Sequence, residues 1–429
     1  MIEATREQLP NGLRAIFVRM AGFHSAIATV YLRMGPRFET RETNGLSHFA
    51  EHVLFKGTRR LPEPEAVSRE IDAIGAELNG ATMPEYTELM VSCHSRHFLR
   101  GLELLAEVVL HPTFARDHVE TERRVVIEEM SHYRDVAGED VNLDELSYEL
   151  MWPSQAHSFS CLGYERNLAR FGEDELAAHY HRFLQAANMV VCVAGNYPQD
   201  EVVDLLSERF GSLERGHAAT PAPLRDVQAS ARHAFRRAPT RMAHLKLCHK
   251  ACSYHDPKFY RVLVASDILG GGVTSRLFSR LRERDGLVYD VCSNTTLFSD
   301  CGWVDIATTT RRERAADAVE GALEEVRRLA DQGLDEATLQ MFKDRVACQM
   351  EILEDSPPDV ADWLGVREIL LAPQRLVTPT EEAKRLKSIT AEEIRAVAQE
   401  VFRPSRRSLV VVGPSSWAQR RRIRGLVAR

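Results

Sequence analysis

The chain repeats itself, and the repeat limits the folds open to it. One offset of 218 residues carries Leu168 onto Leu386, Leu176 onto Ile394 and Gly195 onto Gly413. The same offset lays the apolar run Met189-Val190-Val191-Cys192-Val193-Ala194 over Arg407-Ser408-Leu409-Val410-Val411-Val412. Each half therefore closes in the same order: a helix, a buried strand, a glycine. Two copies of one unit need two cores, which suits 429 residues, too many for one ordinary core. Between the copies, Leu213 to Arg232 is polar, rich in Ala and Pro, and keeps no apolar period, so it reads as a linker. Domains are expected over 1–215 and 233–429, joined by 216–232.

In the first copy the turn signal Pro10-Asn11-Gly12 precedes a strand from Leu13 to Arg19, and a second strand runs from Ala26 to Met34. Helices are predicted around His48, at about Pro64 to Gly75, His97 to Val109, Arg116 to Arg134 and Glu173 to Phe183, with an alternating segment from Ala76 to Ser92. Composition narrows the class. With 44% hydrophobic and 27% charged residues the chain reads as soluble and globular. A net charge of −7 gives no general reason to expect nucleic acid or an anionic membrane as partner. No apolar run approaches the roughly 20 residues that span a bilayer. Met1 to Pro10 carries two Glu and no apolar block, unlike a secretory or transit segment, so a cytoplasmic protein is expected.

The eight cysteines are scattered, several within strand-like runs, as suits reduced thiols. Cys248-x-x-x-Cys252, near His244, His249 and His255, lacks a matching second pair and alternates like a strand. Gly270-Gly271-Gly272 is followed by no Gly-Lys-Ser/Thr, so close packing or a turn explains it better than a phosphate loop. Arg420 to Arg424 reads as a solvated basic terminus.

The chemistry-bearing stretch is Gly45 to Gly57. It reads as a helix capped by Thr43 or Asn44, with Gly57 in a left-handed position past its end. Leu46, Phe49, Ala50, Val53 and Leu54 form one apolar stripe, and His48, Glu51 and His52 centre on the other side. Two imidazoles at i and i+4 can share one metal ion, and the carboxylate before the second can reach water there. This is H-x-x-E-H, the inverted form of H-E-x-x-H. The plainer alternative is three polar residues on a solvated face. The repeat weighs against it, because the offset sets Ser266, Leu269 and Gly270 against His48, Glu51 and His52. A catalytic zinc takes three protein ligands. Candidates for the third lie on the helix from Glu120 to Met130, where Glu122 and Glu129 are two turns apart on one face and Glu128 points elsewhere. Their offset partners are Gln340 and Ala347, so these acids too are confined to the first copy.

His48-x-x-Glu51-His52, with Glu129 seventy-seven residues beyond His52 and Glu122 seven before Glu129, is similar to the pitrilysin/insulin-degrading-enzyme family of metallopeptidases. The short two-domain form resembles the branch that includes mitochondrial processing peptidase and its bacterial relatives. The resemblance covers nearly the whole chain, from Leu9-Pro10-Asn11-Gly12-Leu13 through Asn79-Gly80-Ala81-Thr82 to Gly413. In the second copy, Ser275 to Phe278 and Arg282 to Tyr289 resemble the family segment that carries a substrate-binding Arg and Tyr seven residues apart. Outside the family those two would read as surface charge and core aromatic.

The resemblance implies an α+β fold of two homologous domains, each a mostly antiparallel sheet covered by helices, facing a partner subunit across a closed chamber. It implies Zn²⁺ held by His48, His52 and Glu129, Glu51 as general base, and Glu122 orienting a ligand or helping proton traffic. Asn79, Gly80 and Ala81 would pair with the peptide as an added strand. Arg282 and Tyr289 would stabilise the oxyanion of a facing subunit, so a homodimer or a heterodimer with a related chain is expected. Two departures bear on substrate preference. The family's Asn-Ala is Asn79-Gly80 here, and an aromatic usual a few residues on is Leu89; Pro84 also interrupts that segment. The function implied is a zinc-dependent endopeptidase for peptides or unfolded segments. Alternatives are a processing peptidase for a ribosomally made precursor peptide and a non-catalytic partner subunit.

Overall fold

The computed structural model describes residues 2–134, 141–225, 228–372 and 375–429. The first half runs β1 (Ala4–Gln8), β2 (Arg14–Arg19), β3 (Ser25–Leu32), α1 (Leu46–Leu54), α2 (Pro64–Ile74), β4 (Glu77–Thr82), β5 (Thr87–His94), α3 (Phe98–Leu110), α4 (Arg116–Ser131), α5 (Leu143–Met151), α6 (Glu165–Leu168), α7 (Glu173–Phe183), β6 (Met189–Gly195) and α8 (Gln199–Phe210). The second runs β7 (Arg232–Arg236), β8 (Met242–Lys250), α9 (Phe259–Gly270), β9 (Val288–Leu297), β10 (Gly302–Arg311), α10 (Ala315–Gln332), α11 (Glu336–Ile352), α12 (Pro357–Leu371), α13 (Pro379–Leu386), α14 (Ala391–Val401), β11 (Arg407–Val412) and α15 (Trp417–Val427). None of the described helices is long and apolar enough to cross a membrane.

The strands form two sheets, ordered β1-β2-β6-β3-β5-β4 and β7-β11-β8-β10-β9. Apart from β1 the two orders correspond strand for strand under the 218-residue offset, which also carries α7 onto α14. Each sheet has one parallel pair, β2 with β6 and β7 with β11, and is otherwise antiparallel. The apolar runs of β6 and β11 are buried along their whole length. A strand covered on both faces needs such a run, because neither set of alternating side chains reaches water. The mixed α+β architecture of two like domains is thus what the repeat and the resemblance imply.

The chain divides into two compact units, and the division does not follow the linker. One comprises Met1–Met130, Phe159–Ala222 and Met350–Glu382; the other comprises Ser131–Ser158, Pro223–Gln349 and Ala383–Arg429. Two helices that the repeat makes equivalent account for the difference: α12 packs on β6 and β3 in the first unit, and α5 packs on β11 and β8 in the second. Gly365 lets α12 approach Tyr31, since a Cβ there would lie 2.1 Å from the Tyr31 ring. Tyr31 donates to the Ala361 carbonyl at 3.2 Å, and the buried Glu368 carboxylate takes Arg6 at 3.0 Å and Arg14 at 2.9 Å. On the second sheet Lys246 is paired with Asp144 of α5. Each sheet gains a covered second face this way, as a sheet rich in apolar residues on both sides requires. The linker expected over 216–232 has no regular structure through 225; positions 226 and 227 fall outside the described residues.

A small apolar cluster fixes the candidate site in the first unit. Leu46, Phe49, Ala50 and Val53 of α1 pack with Val119, Val126 and Met130 of α4. The apolar stripes of the two helices lock together, so the polar residues beside them face one another.

Candidate metal centre

The sequence assigns the cap of α1 to Thr43 or Asn44, and the structure replaces both. The position before the helix is Gly45, at φ 107°, and Thr43 is bonded to Thr40 instead. The buried carboxylate of Glu39 does the capping. It accepts from Gly45 N at 2.9 Å, Ser47 N at 2.7 Å and Asn44 Nδ2 at 2.9 Å. A negative group at a helix start satisfies its free N–H groups and complements its dipole. Burial raises the Glu39 pKa, although these bonds oppose the rise. At the other end the helix stops at Leu54, and Gly57 is not in the left-handed region. A Cβ on Gly57 would lie 2.4 Å from the Pro62 carbonyl, so close approach explains that glycine. Ser47 Oγ meets His179 Nε2 at 2.9 Å behind the helix, and burial holds His179 down to about 4.

The polar side of α1 is not a solvated face. His48 and Glu51 are each 7% exposed. His48 Nε2 lies 3.7 Å and His52 Nε2 3.6 Å from the same atom, Glu129 Oε2. On the other edge of the ring, His52 Nδ1 is 3.3 Å from Glu122 Oε2, while Lys56 Nζ reaches Glu122 Oε1 at 3.0 Å. The structure therefore brings together His48, Glu51, His52, Glu122 and Glu129, and adds Lys56, which the sequence reading missed. Its signal was present, since Lys56 stands four residues after His52. Glu39 and His179 had no such local sign.

Charge at the site follows burial first. Desolvation drops His48 to about 3, helped by His52, so its imidazole is neutral. Desolvation raises Glu51 to about 7, with Glu129 adding to the rise and His52 opposing it. Burial also works against a proton on His52, but the Glu122 hydrogen bond and the neighbouring carboxylates outweigh it and raise its pKa. Glu122 is lowered despite burial by its bonds to His52 and Lys56.

One donor atom each from His48, His52 and Glu129 lie within 4.8 Å of one another. Two imidazole nitrogens and a carboxylate oxygen are a donor set that zinc takes in catalytic sites, with a position left open. His52 meets a further requirement, because its second nitrogen is held by a carboxylate, which fixes the ring. Nδ1 of His48 is buried without such a partner. The residues fit a zinc ion.

A cleft of about 470 Å³ opens on this cluster and is walled by Asn79 to Thr82. These belong to β4, the edge strand of the sheet, so among the described residues no strand lies beyond their outer backbone groups. Gly80 pairs with Leu89, and a Cβ on it would lie 2.7 Å from Glu51 Oε1. The departure from Asn-Ala thus leaves room for the carboxyl of Glu51. Leu89 is buried in the core, and Pro84 sits in the turn joining β4 to β5, where Met83 N donates to Tyr86 O at 2.8 Å.

Arg282 and Tyr289 belong to the second unit. The Arg282 guanidinium lies 5.2 Å from the Tyr289 ring centroid and 4.6 Å from that of Phe278. Tyr289 is 81% exposed, which overturns its reading as a core aromatic: along β9, Val288 and Val291 turn inward and Tyr289 outward. The second unit's equivalent of α1 is α9. There Ser266 Oγ meets Ser293 Oγ at 2.8 Å, and a Cβ on Gly270 would lie 2.4 Å from Ser293 N.

Comparison with known proteins finds two family matches along the chain. Residues 16–157 match the family described as Insulinase (Peptidase family M16), and residues 170–346 match that described as Peptidase M16 inactive domain. An uncharacterized zinc protease of Mycobacterium tuberculosis is 32% identical over 422 residues, covering 95% of this chain and 93% of that one. An uncharacterized zinc protease of Bacillus subtilis is 29% identical over 405 residues, covering 94% and 97%. Among solved structures, a protease from Helicobacter pylori superposes with a TM-score of 0.88 at 20% identity, over 96% of this chain and all (100%) of that one. The peptidase M16 inactive domain from Pseudomonas fluorescens superposes at 0.86 and 19% identity, over 96% and 98%. Both share the fold.

Proposed function

The chain belongs to the insulinase family of peptidases, M16, and from that premise we propose that it is a zinc-dependent endopeptidase acting on peptides and unfolded segments. The observation that carries the reading is the convergence of His48 Nε2 and His52 Nε2 on Glu129, with the buried Glu51 carboxyl at the same cleft. Zinc held by His48, His52 and Glu129 would supply Lewis acidity, making water nucleophilic near neutral pH and polarising the scissile carbonyl.

The chain's own residues do the rest. Glu51, with a pKa of about 7, is suited to take a proton from the attacking water and return it to the leaving amine. Glu122 holds the His52 ring and, through Lys56, keeps its own negative charge. The free edge of β4 at Asn79 to Ala81 would pair with an extended peptide, giving affinity with little sequence demand. The half-buried Arg282, stacked on the exposed Tyr289, would together with it stabilise the oxyanion of a partner subunit's site across a closed chamber. A dimer is the assembly this requires. Because the first unit carries the whole donor set, catalysis fits better than a purely non-catalytic partner role.

Complementation tests it. Wild-type protein should cleave a flexible peptide and spare a compact folded domain. Glu51→Gln alone, and Arg282→Ala with Tyr289→Phe alone, should be inactive. Mixed after verified subunit exchange, they should recover roughly a quarter of wild-type activity, since half the dimers then hold one competent site. No recovery would overturn the partner-supplied arrangement, and an inactive wild type would overturn the peptidase reading.

A further inference from the structure

The second unit holds another cluster of metal-binding side chains, built from two distant stretches of the chain. His157 stands on the short 3-10 turn Ala156–Ser158, while Asp300 and Cys301 belong to the hairpin between β9 and β10. That hairpin is tight: Phe298 N donates to Cys301 O at 2.8 Å, leaving Ser299 and Asp300 as its two turn residues. Nε2 of His157 lies 3.0 Å from Asp300 Oδ1, and one donor atom from each of the three residues falls within 4.8 Å of the others. Among the described residues, only this group and His48–His52–Glu129 meet that spacing. His157 and Cys301 are buried, and the Asp300 side chain is 31% exposed, so the cluster has a dry wall and one face toward solvent.

The donors decide which ion would suit. An imidazole, a thiolate and a carboxylate are side chains from which zinc sites are made, whereas calcium and magnesium call for more oxygens than this cluster offers. The wall is aromatic. The His157 ring lies 5.2 Å from that of Trp152 and 6.0 Å, edge-on, from that of Phe298. Such packing fixes the imidazole and excludes water, as the surroundings of metal ligands commonly do. Without metal, the group is a His–Asp pair beside a buried thiol. A divalent ion would displace the proton shared by that pair and the proton of the thiol, so binding would release protons.

We propose that His157, Asp300 and Cys301 form a second zinc site, its fourth position left to water on the solvent face, that fastens the segment Ser131–Ser158 to the β9–β10 hairpin. The residues joined are 143 positions apart, and the fastened segment carries α5, one of the two exchanged helices. A cross-link closing so long a loop restricts the unfolded chain more than a short one does. The site shares no residue with the peptidase centre, and it stands or falls separately from it.

Metal analysis and cobalt substitution of the full chain test the proposal. Wild type should hold two zinc equivalents, and Cys301→Ser or His157→Ala should each lose one. The Co²⁺ form should show a near-ultraviolet thiolate-to-cobalt charge-transfer band, absent from Cys301→Ser and kept by His48→Ala, because none of His48, His52 and Glu129 is a sulfur ligand. Zinc should raise the melting temperature of His48→Ala but not of His48→Ala with His157→Ala. Should Cys301→Ser fail to fold, zinc X-ray absorption of the wild type decides, with one sulfur per two zinc ions expected. A zinc environment without sulfur, or a charge-transfer band unchanged in Cys301→Ser, would overturn the site.

Discussion

In the first unit a glycine lies on the edge strand, opposite the helix; in the second it lies on the helix itself. Gly80 of β4 gives up a side chain and leaves space for the carboxyl of Glu51. Gly270 of α9, at the position the repeat assigns to His52, gives up a side chain so that α9 can close against Ser293. Both units have the same strand order and an equivalent helix at this place. The element that yields decides whether the helix carries chemistry or packing, so the fold alone does not make a metal centre.

Exchanging the two sets of residues should break the comparison most sharply. His48→Ser, Glu51→Leu and His52→Gly, which write the second unit's residues into α1, should leave a folded protein without zinc at this centre and without peptidase activity. The reverse set, Ser266→His, Leu269→Glu and Gly270→His, should create no site. It should destabilise the protein by at least about 1–3 kcal/mol, because Gly270 has no space for a side chain. Zinc analysis and thermal unfolding check both, and a folded, zinc-binding reverse variant would contradict the packing argument.

Equivalent residues on α4 and α11 should differ by less. Glu122→Gln removes the carboxylate that holds His52, so zinc affinity or activity should fall by about 10–100-fold. Gln340, its counterpart, bonds Asp344 on the surface, and Gln340→Ala should change neither. Equal effects at the two positions would mean that Glu122 acts only on the fold.

The exchanged helices differ in electrostatics, with the smallest expected effect. On the second sheet α5 brings Asp144 to Lys246, a pairing of opposite charges. On the first, α12 brings Asp362 toward Glu88, and burial together with Asp362 pushes Glu88 up to about 7 from the usual 4.5. A carboxyl raised in the folded state binds its proton there longer than in the unfolded chain. The contribution of Glu88 to stability is then fully present below about pH 4.5 and is lost as pH rises to about 7. Glu88→Gln should flatten that decline, by on the order of 1 kcal/mol once its partial exposure is discounted. Denaturation at pH 5 and pH 8 measures it, and an unchanged slope would mean that burial beside Asp362 does not raise Glu88.

Local pattern carried much of this structure. The strand runs, the spacing of His48, Glu51 and His52, and the shared face of Glu122 and Glu129 were all readable because helix and strand periods place side chains directly. The 218-residue repeat made the two sheets legible as copies. Periodicity says which face of a helix is apolar but not which sheet it will cover, so the exchange of α5 and α12 was hidden. The cap from Glu39 was hidden too, because that carboxylate reaches α1 only after the chain has turned at Pro36–Phe38. Tyr289 was misread outside its family because strand alternation sets it on the face of Val291, which is buried, whereas β9 exposes both Tyr289 and Asp290 between Val288 and Val291.

The central claim is that α1 divides its labour, with His48 and His52 for the metal and Glu51 for the proton. Glu51→Gln separates the two roles at one position. Measured together, zinc content should stay at the wild-type level while kcat on a flexible peptide falls by about 10²–10⁴-fold or more, the contribution of a general base. A Glu51→Gln protein that cleaves at the wild-type rate, or one that has lost the metal, would contradict that division.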